Sequence, residues 1–318
     1  MAATRLDGAA VAQEVYSRLR QRVQALAVAG VRPGLAAIQV GYHAASTIYI
    51  RRKVNACAKI GVYSEVHQLA SDCTESALLA TIEKLNHHRG IHGILLQLPL
   101  PQHFDAGRIM QSIAVEKDVD GFNWQNLGAM VAGRPRFTPC TPTGIIALLE
   151  RYDVRIEGRN AVVVGRSTEV GKPMALMLIA RSATVSVCNS KTRDLRQFTS
   201  IADILVVAAG RPLLVTADMI KPGAVVVDFG INRLPDGRVC GDVDHAGASG
   251  VASLLSPVPG GVGPMTVAMV IANTVSAADC ITASQTSTAA GLDCAKRALP
   301  DRPSPDRRQA VSSAIQRV

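Results

Sequence analysis

Four short runs in the second half of the chain are too apolar and too β-branched to lie on a surface: residues 160–165 (NAVVVG), 184–188 (TVSVC), 204–208 (ILVVA) and 224–229 (AVVVDF). Strands buried on both faces read this way, and the amphipathic stretches between them are long enough to cross over and join parallel neighbours. An earlier series alternates in the same manner. Residues 34–41 (GLAAIQVG), 62–69 and 93–100 (GILLQLPL) read as strands, and residues 46–60 and 73–85 as helices. Two α/β domains with parallel sheets are the expected result, facing each other across a cleft. The proline-punctuated residues 137–143 (FTPCTPT) read as the hinge between them. After the Pro/Gly-rich residues 256–264, residues 265–278 read as a last apolar helix.

Composition narrows the function classes. A chain of 318 residues with 48% hydrophobic content can bury two cores. No apolar run is read as reaching the roughly 20 residues a membrane span needs, and the mixed-polarity start (MAATRLDGAAVAQEV) carries no signal core. A cytoplasmic protein with no membrane partner is expected. The seven cysteines are odd in number and scattered singly, so they read as reduced thiols. His87, His88 and His92 cluster near a helix-to-strand turn, but their spacing is not that of a zinc site, and no metal is expected. Net charge is +9 with only 3% aromatics, so stacking platforms for nucleic acid are scarce. A phosphorylated cofactor or a polycarboxylate substrate suits the charge better. Residues 281–318, small, polar and then rich in proline and charge, read as a disordered tail.

The loop from Gly165 through Arg166 and Ser167 to Gly171 follows one strand and opens a helix. A glycine there permits the tight turn, and free amides at a helix start attract a pyrophosphate. The spacing departs from G-x-G-x-x-G, because Ser167 stands in place of the second glycine. The next strand ends in Cys188-Asn189-Ser190-Lys191, with a base and no acid where NAD-preferring folds place Asp or Glu. Ser190, Lys191 and Arg166 therefore favour the 2′-phosphate of NADP.

In the first half, Tyr49 and Lys53 are four residues apart on a helix that Ser46 can cap, and so share a face. A lysine shielded beside a phenol has a lowered pKa and can move protons. Such a pair is more often a surface contact. The Tyr-x-x-x-Lys spacing also evokes short-chain dehydrogenases, but there the cofactor turn precedes the pair, the reverse of the order here. Gln97 interrupts an apolar strand and needs a partner, either a core group or the lysine. Lys117-Asp118-Val119-Asp120-Gly121-Phe122 reads either as a solvated loop or as a turn that aims Asp120 at a heterocycle's N–H groups.

Together these segments resemble the bifunctional methylenetetrahydrofolate dehydrogenase/cyclohydrolase family. The likeness runs in family order through VGYHAASTIYIRRK, GILLQLPLP, KDVDGF, PCTPTG, GRSTEVGKP, GDVD and PVPGGVGPMT, over roughly residues 1–280. The resemblance implies that Lys53 is the catalytic lysine, assisted by Tyr49 and Gln97. It implies that Asp120 anchors the pterin ring and that Leu96 and Leu98, with Tyr49, Lys53 and Gln97, also bind the substrate. Pro259, Gly260, Gly261, Val262, Gly263 and Pro264 would line the folate site. Gly165, Arg166, Ser167, Ser190, Ile231 and Thr141 would contact NADP. It further implies a homodimer, a substrate domain of residues 1–142 plus 265–280, and a Rossmann-like cofactor domain of residues 143–264. This sequence departs from the pattern at Ala44, Val115, Asn123 and Asn189, none of them a proposed catalytic group. An NAD-linked dehydrogenase without cyclohydrolase activity, a folate-binding scaffold and a nucleic-acid binder are the rival readings.

Overall fold

A computed structural model describes residues 2–286. The chain opens with a two-residue strand, β1 (Thr4–Arg5), and α1 (Gly8–Val28). Asp7 caps α1 by accepting from the Ala10 amide at 3.1 Å, and Val11, Val15, Leu19 and Val23 form its buried stripe at four-residue steps. The strand β2 (Gly34–Val40) is buried at every position because it lies between two neighbours. It is followed by α2 (Ala44–Ile60), β3 (Tyr63–Leu69), α3 (Glu75–His87) and β4 (Gly93–Leu96). These form a parallel sheet in the order β3-β2-β4.

Three local expectations for this half are corrected. The N-cap of α2 is His43, whose ring accepts from the Ser46 amide, so Ser46 sits inside the first turn. The third strand stops at Leu96, before the donor-less Pro99 and Pro101, and leaves Gln97 outside it. The expected hinge at residues 137–143 runs into a helix. After α4 (Ala106–Gln111) and α5 (Trp124–Val131), α6 (Cys140–Arg151) begins inside that segment and carries Pro142 in its first turn, where no amide donor is needed.

The second sheet is built from β5 (Asn160–Val164), β6 (Thr184–Cys188), β7 (Ile204–Val207) and β8 (Val225–Asp228), with α7 (Gly171–Ile179) and α8 (Leu195–Thr199) as crossovers. A short hairpin, β9 (Asn232–Arg233) and β10 (Val239–Cys240), then α9 (His245–Ala248) and β11 (Leu254–Leu255), follow. The sheet order is β1-β11-β8-β7-β5-β6, parallel throughout. The first strand of the chain thus pairs with the second sheet, while α1 packs with α2 and the last helix.

That helix, α10 (Val262–Thr286), starts earlier and ends later than expected, so residues 281–286 are helical and the rest of the expected tail lies outside the described residues. Its segment Val262–Ile281 has the length and hydropathy of a membrane span, contrary to the expectation of no such run, but 78% of it is buried in protein. It packs against α6, α1 and α2, which explains why it is apolar all round. The free thiols include Cys57, Cys73, Cys140, Cys188 and Cys240, whereas Cys280 is disulfide-bonded, a departure from the expectation that every cysteine is reduced.

Candidate active site and cofactor pocket

The inward face of α2 carries Lys53, 7% exposed, and its ammonium donates to Gln97 Oε1 at 3.2 Å. Gln97 is itself fixed: its amide donates to the Ile38 carbonyl at 2.9 Å and its Nε2 to the Leu98 carbonyl at 2.8 Å. Burial pushes the Lys53 pKa down, opposed by the nearby Asp120, Cys140 and Cys57. Burial pushes the Asp120 carboxyl up to about 6, with Lys53 pulling the other way. The two groups therefore restrain each other's charge in a dry corner of the protein.

The loop that presents Asp120 is buried rather than solvated. Asp118 accepts from the Phe122 amide at 3.2 Å, the Asn123 amide at 2.8 Å and Asn126 Nδ2 at 2.7 Å. Lys117 turns away and donates to the carbonyls of Leu85 and His88, closing the C-terminus of α3. From the far side, Asn273 of α10 donates to the Val119 carbonyl at 2.8 Å and the Cys140 thiol donates to the same oxygen at 3.1 Å. The run of charge in the sequence thus divides into two structural groups and one that faces the lysine.

Tyr49, one turn before Lys53, faces a trough of about 470 Å³ between α1, α2 and the residues preceding α10. Pro259, Gly260, Gly261, Val262, Gly263 and Pro264 line it, together with Ile231. Gly263 lies close enough to Tyr49 that a Cβ there would stand 3.6 Å from the phenol oxygen. Burial raises the phenol's pKa and Arg52 lowers it. Lys53, Gln97 and Asp120 do not line this trough; Lys53 leaves the adjoining face of α2 to meet Gln97, just beyond β4. Leu96 packs into the first sheet's core, and Leu98 contributes a carbonyl that holds both Gln97 and Ser46.

In the second domain, β5 is followed at once by Gly165, whose φ of +133° and whose approach to Ala208 (a Cβ would fall 2.2 Å from the carbonyl oxygen) exclude any side chain. Ser167 Oγ accepts from the Val170 amide at 3.1 Å and shapes the turn into α7. A cavity of about 350 Å³ opens there, lined by Gly165, Arg166, Ser167, Ser190 and Thr192. Asn189 folds the rim by accepting from the Lys191 amide at 3.0 Å. Lys191 is exposed and outside the lining; Thr141 is buried against Thr266, also outside it; and Ile231 belongs to the trough.

Arg211, which sequence reasoning missed, lines the cavity too. Its signal was its place just beyond the C-terminal end of β7, the edge where parallel sheets bind ligands. Its loop is held by Asp242, which accepts from the Ala209 and Gly210 amides at 2.6 and 2.9 Å. Among the described residues, two guanidinium groups and no carboxylate line this cavity, and its glycine cradle suits a phosphorylated dinucleotide.

A parallel-sheet domain with a glycine-cradled, arginine-lined cavity, joined in one chain to a domain with a buried lysine held by an amide, is the arrangement of a dinucleotide-dependent α/β enzyme that also handles protons. The catalytic domain of tetrahydrofolate dehydrogenase/cyclohydrolase matches residues 6–120, and the NAD(P)-binding domain of the same enzymes matches residues 139–282. The chain belongs to the tetrahydrofolate dehydrogenase/cyclohydrolase family. It is 54% identical over 279 residues to the bifunctional protein FolD of Nitrosospira multiformis, covering 88% of this chain and 97% of that protein. The FolD protein of Bordetella bronchiseptica is also 54% identical, with 88% and 99% covered. Among solved structures, the bifunctional enzyme FolD of Campylobacter jejuni superposes with a TM-score of 0.86 at 46% identity, covering 88% of this chain and all (100%) of that one. The Trypanosoma brucei enzyme, complexed with NADP and an inhibitor, gives 0.85 at 36% identity, with 89% and 99% covered.

Proposed function

We propose that this enzyme oxidises 5,10-methylenetetrahydrofolate with NADP and then hydrolyses the methenyl product to 10-formyltetrahydrofolate. The observation that carries the reading is the Lys53–Gln97 pair with Asp120 beside it in one domain, together with the glycine-cradled, arginine-lined cavity of the other. Arg166, Ser190 and Arg211 fit the 2′-phosphorylated cofactor, with Gly165 and Ser167 at its pyrophosphate. NADP, when bound, supplies the hydride acceptor for the first reaction. The chain's part in that step is positioning: Asp120 accepts the pterin N–H groups, Tyr49 packs on the adjoining ring, and residues 259–264 close over them. In the second step a water adds to the methenyl carbon. Lys53, its pKa depressed by burial, takes one proton of the water; as the carbon–nitrogen bond of the hydroxyl adduct opens, the hydroxyl gives up its proton to become the formyl oxygen, one proton goes to the ring nitrogen and the other leaves to solvent. Gln97 accepts from Lys53 and so fixes where the amine points. Tyr49 assists from one turn away.

We read residues 1–142 with 265–280 as the substrate domain and 143–264 as the cofactor domain, with β1 lent to the cofactor sheet. A cytoplasmic homodimer without nucleic-acid partners completes the reading. Exposed Val187 on the edge strand β6 supports the dimer, since it leaves an apolar side chain beside an unpaired strand edge. The decisive experiment gives purified protein methylenetetrahydrofolate and NADP. NADPH should form without lasting methenyl accumulation; binding of folate with neither reaction would sink the enzyme reading.

A further inference from the structure

The trough beside Tyr49 extends well past the reacting groups. Along its α2 wall stand Tyr49, Arg52, Ala56 and Lys59, alternating steps of three and four residues that form one continuous stripe. The opposite wall is Ala9, Ala12, Gln13 and Tyr16 of α1. Arg52 and Lys59 are exposed to this space, and among the described residues no carboxylate lies within salt-bridge distance of either. The Arg52 guanidinium leans over the Tyr49 ring, 5.8 Å from its centroid. The one carboxylate in the lining, Asp228, is 1% exposed and spends its oxygens on the amides of Gly230, Asp242 and Val243. Two unpaired cations therefore look into a trough whose single acid is turned inward.

We propose that Arg52 and Lys59 bind the carboxylates of the substrate's glutamyl tail and set the preference for tail length. The proposal rests on the reading of Tyr49 and Lys53 as the folate site. A pterin at Asp120 and a benzoyl ring at Tyr49 direct the rest of the substrate away from Lys53 and along this stripe. The helical rise puts Lys59 about 10 Å beyond Arg52. A first glutamate meets Arg52, and only a tail extended by further γ-linked glutamates reaches Lys59.

The test is steady-state kinetics with mono- and triglutamyl methylenetetrahydrofolate for wild type, Arg52→Gln, Lys59→Gln and Arg159→Gln. Arg159 is exposed at the opposite end of the cofactor sheet and removes the same charge outside the trough. A partly screened ion pair corresponds to about fivefold in affinity. Arg52→Gln should raise KM about fivefold for both substrates. Lys59→Gln should raise it about fivefold for the triglutamate and less than twofold for the monoglutamate. The dehydrogenase kcat, the KM for NADP and all constants of Arg159→Gln should stay within twofold, and salt should erase wild type's preference for the longer tail. An effect of Arg52→Gln passed through Tyr49 would show instead in the cyclohydrolase kcat. Equal wild-type KM values for the two tails, or a Lys59→Gln effect that is the same for both, would overturn the tail site and leave the reaction standing. Absence of any wild-type turnover would overturn both.

Discussion

Lys53 and Gln97, 44 residues apart in sequence, meet at 3.2 Å because α2 and the end of β4 converge on one corner of the substrate domain. The amide is held by backbone carbonyls and the lysine by burial, so the amine has little freedom to wander.

Replacing Lys53 by Met should keep the fold and abolish hydrolysis. Loss of a positioned proton carrier costs about 10²- to 10⁴-fold in rate. With methylenetetrahydrofolate and NADP the variant should accumulate the methenyl product, visible by its absorbance. At about pH 6 or below, where Asp120 is protonated, its melting temperature should not fall, because a desolvated charge has been removed without leaving another unpaired.

Substrate capture should follow the ionisation of Asp120. Its carboxyl, raised to about 6, holds a proton in the folded protein between about pH 4 and 6, where the unfolded chain has already released it. This group therefore favours folding less as pH rises through that window. Only the ionised form accepts two N–H donors, so kcat/KM for the dehydrogenase should fall below about pH 6. Since Lys53 lowers the Asp120 pKa, Lys53→Met should move that inflection upward; an unmoved profile would detach Asp120 from the site.

His92 should make the protein acid-sensitive. Burial first, then the charge of Lys117, pushes its pKa down to about 4, while its Nδ1 accepts from the Gly34 amide. The neutral ring is favoured in the fold, so the stabilisation is present above about pH 6.5 and is lost as pH falls toward 4. The full window corresponds to up to about 3 kcal/mol. His92→Asn keeps an acceptor for Gly34 and should flatten this part of the stability–pH curve in denaturant titrations.

At the cofactor loop, Gly165→Ala should cost about 2–4 kcal/mol, because the new Cβ meets a backbone carbonyl that cannot step aside. The KM for NADP should rise at least about tenfold. Thermal stabilisation by added NADP, expected for wild type, should disappear.

The strands of both sheets were legible because β-branched runs such as residues 160–164 have no other stable place than a covered sheet. The lysine, its partners and the phosphate turn were visible through family likeness more than through spacing. What sequence concealed depended on contacts at a distance. Residues 137–143 look like a hinge, yet the first turn of α6 tolerates Pro142. The division of labour between Asp118 and Asp120 exists only once Asn123, Asn126 and Asn273 close around the loop. Arg211 needed Asp242, 31 positions on, to fix its loop. The two-residue β1 is too short to register as a pattern at all.

That small strand has a mechanical consequence. Since Thr4–Arg5 is stitched to the cofactor sheet and α1 leaves at once for the substrate side, the polypeptide bridges the two halves at three places: before α1, between β4 and β5, and between β11 and α10. Bodies joined by one tether can swivel; bodies joined by three are held more nearly in register. Opening the trough walled by α2 and by residues 228–231 therefore strains three crossings rather than one.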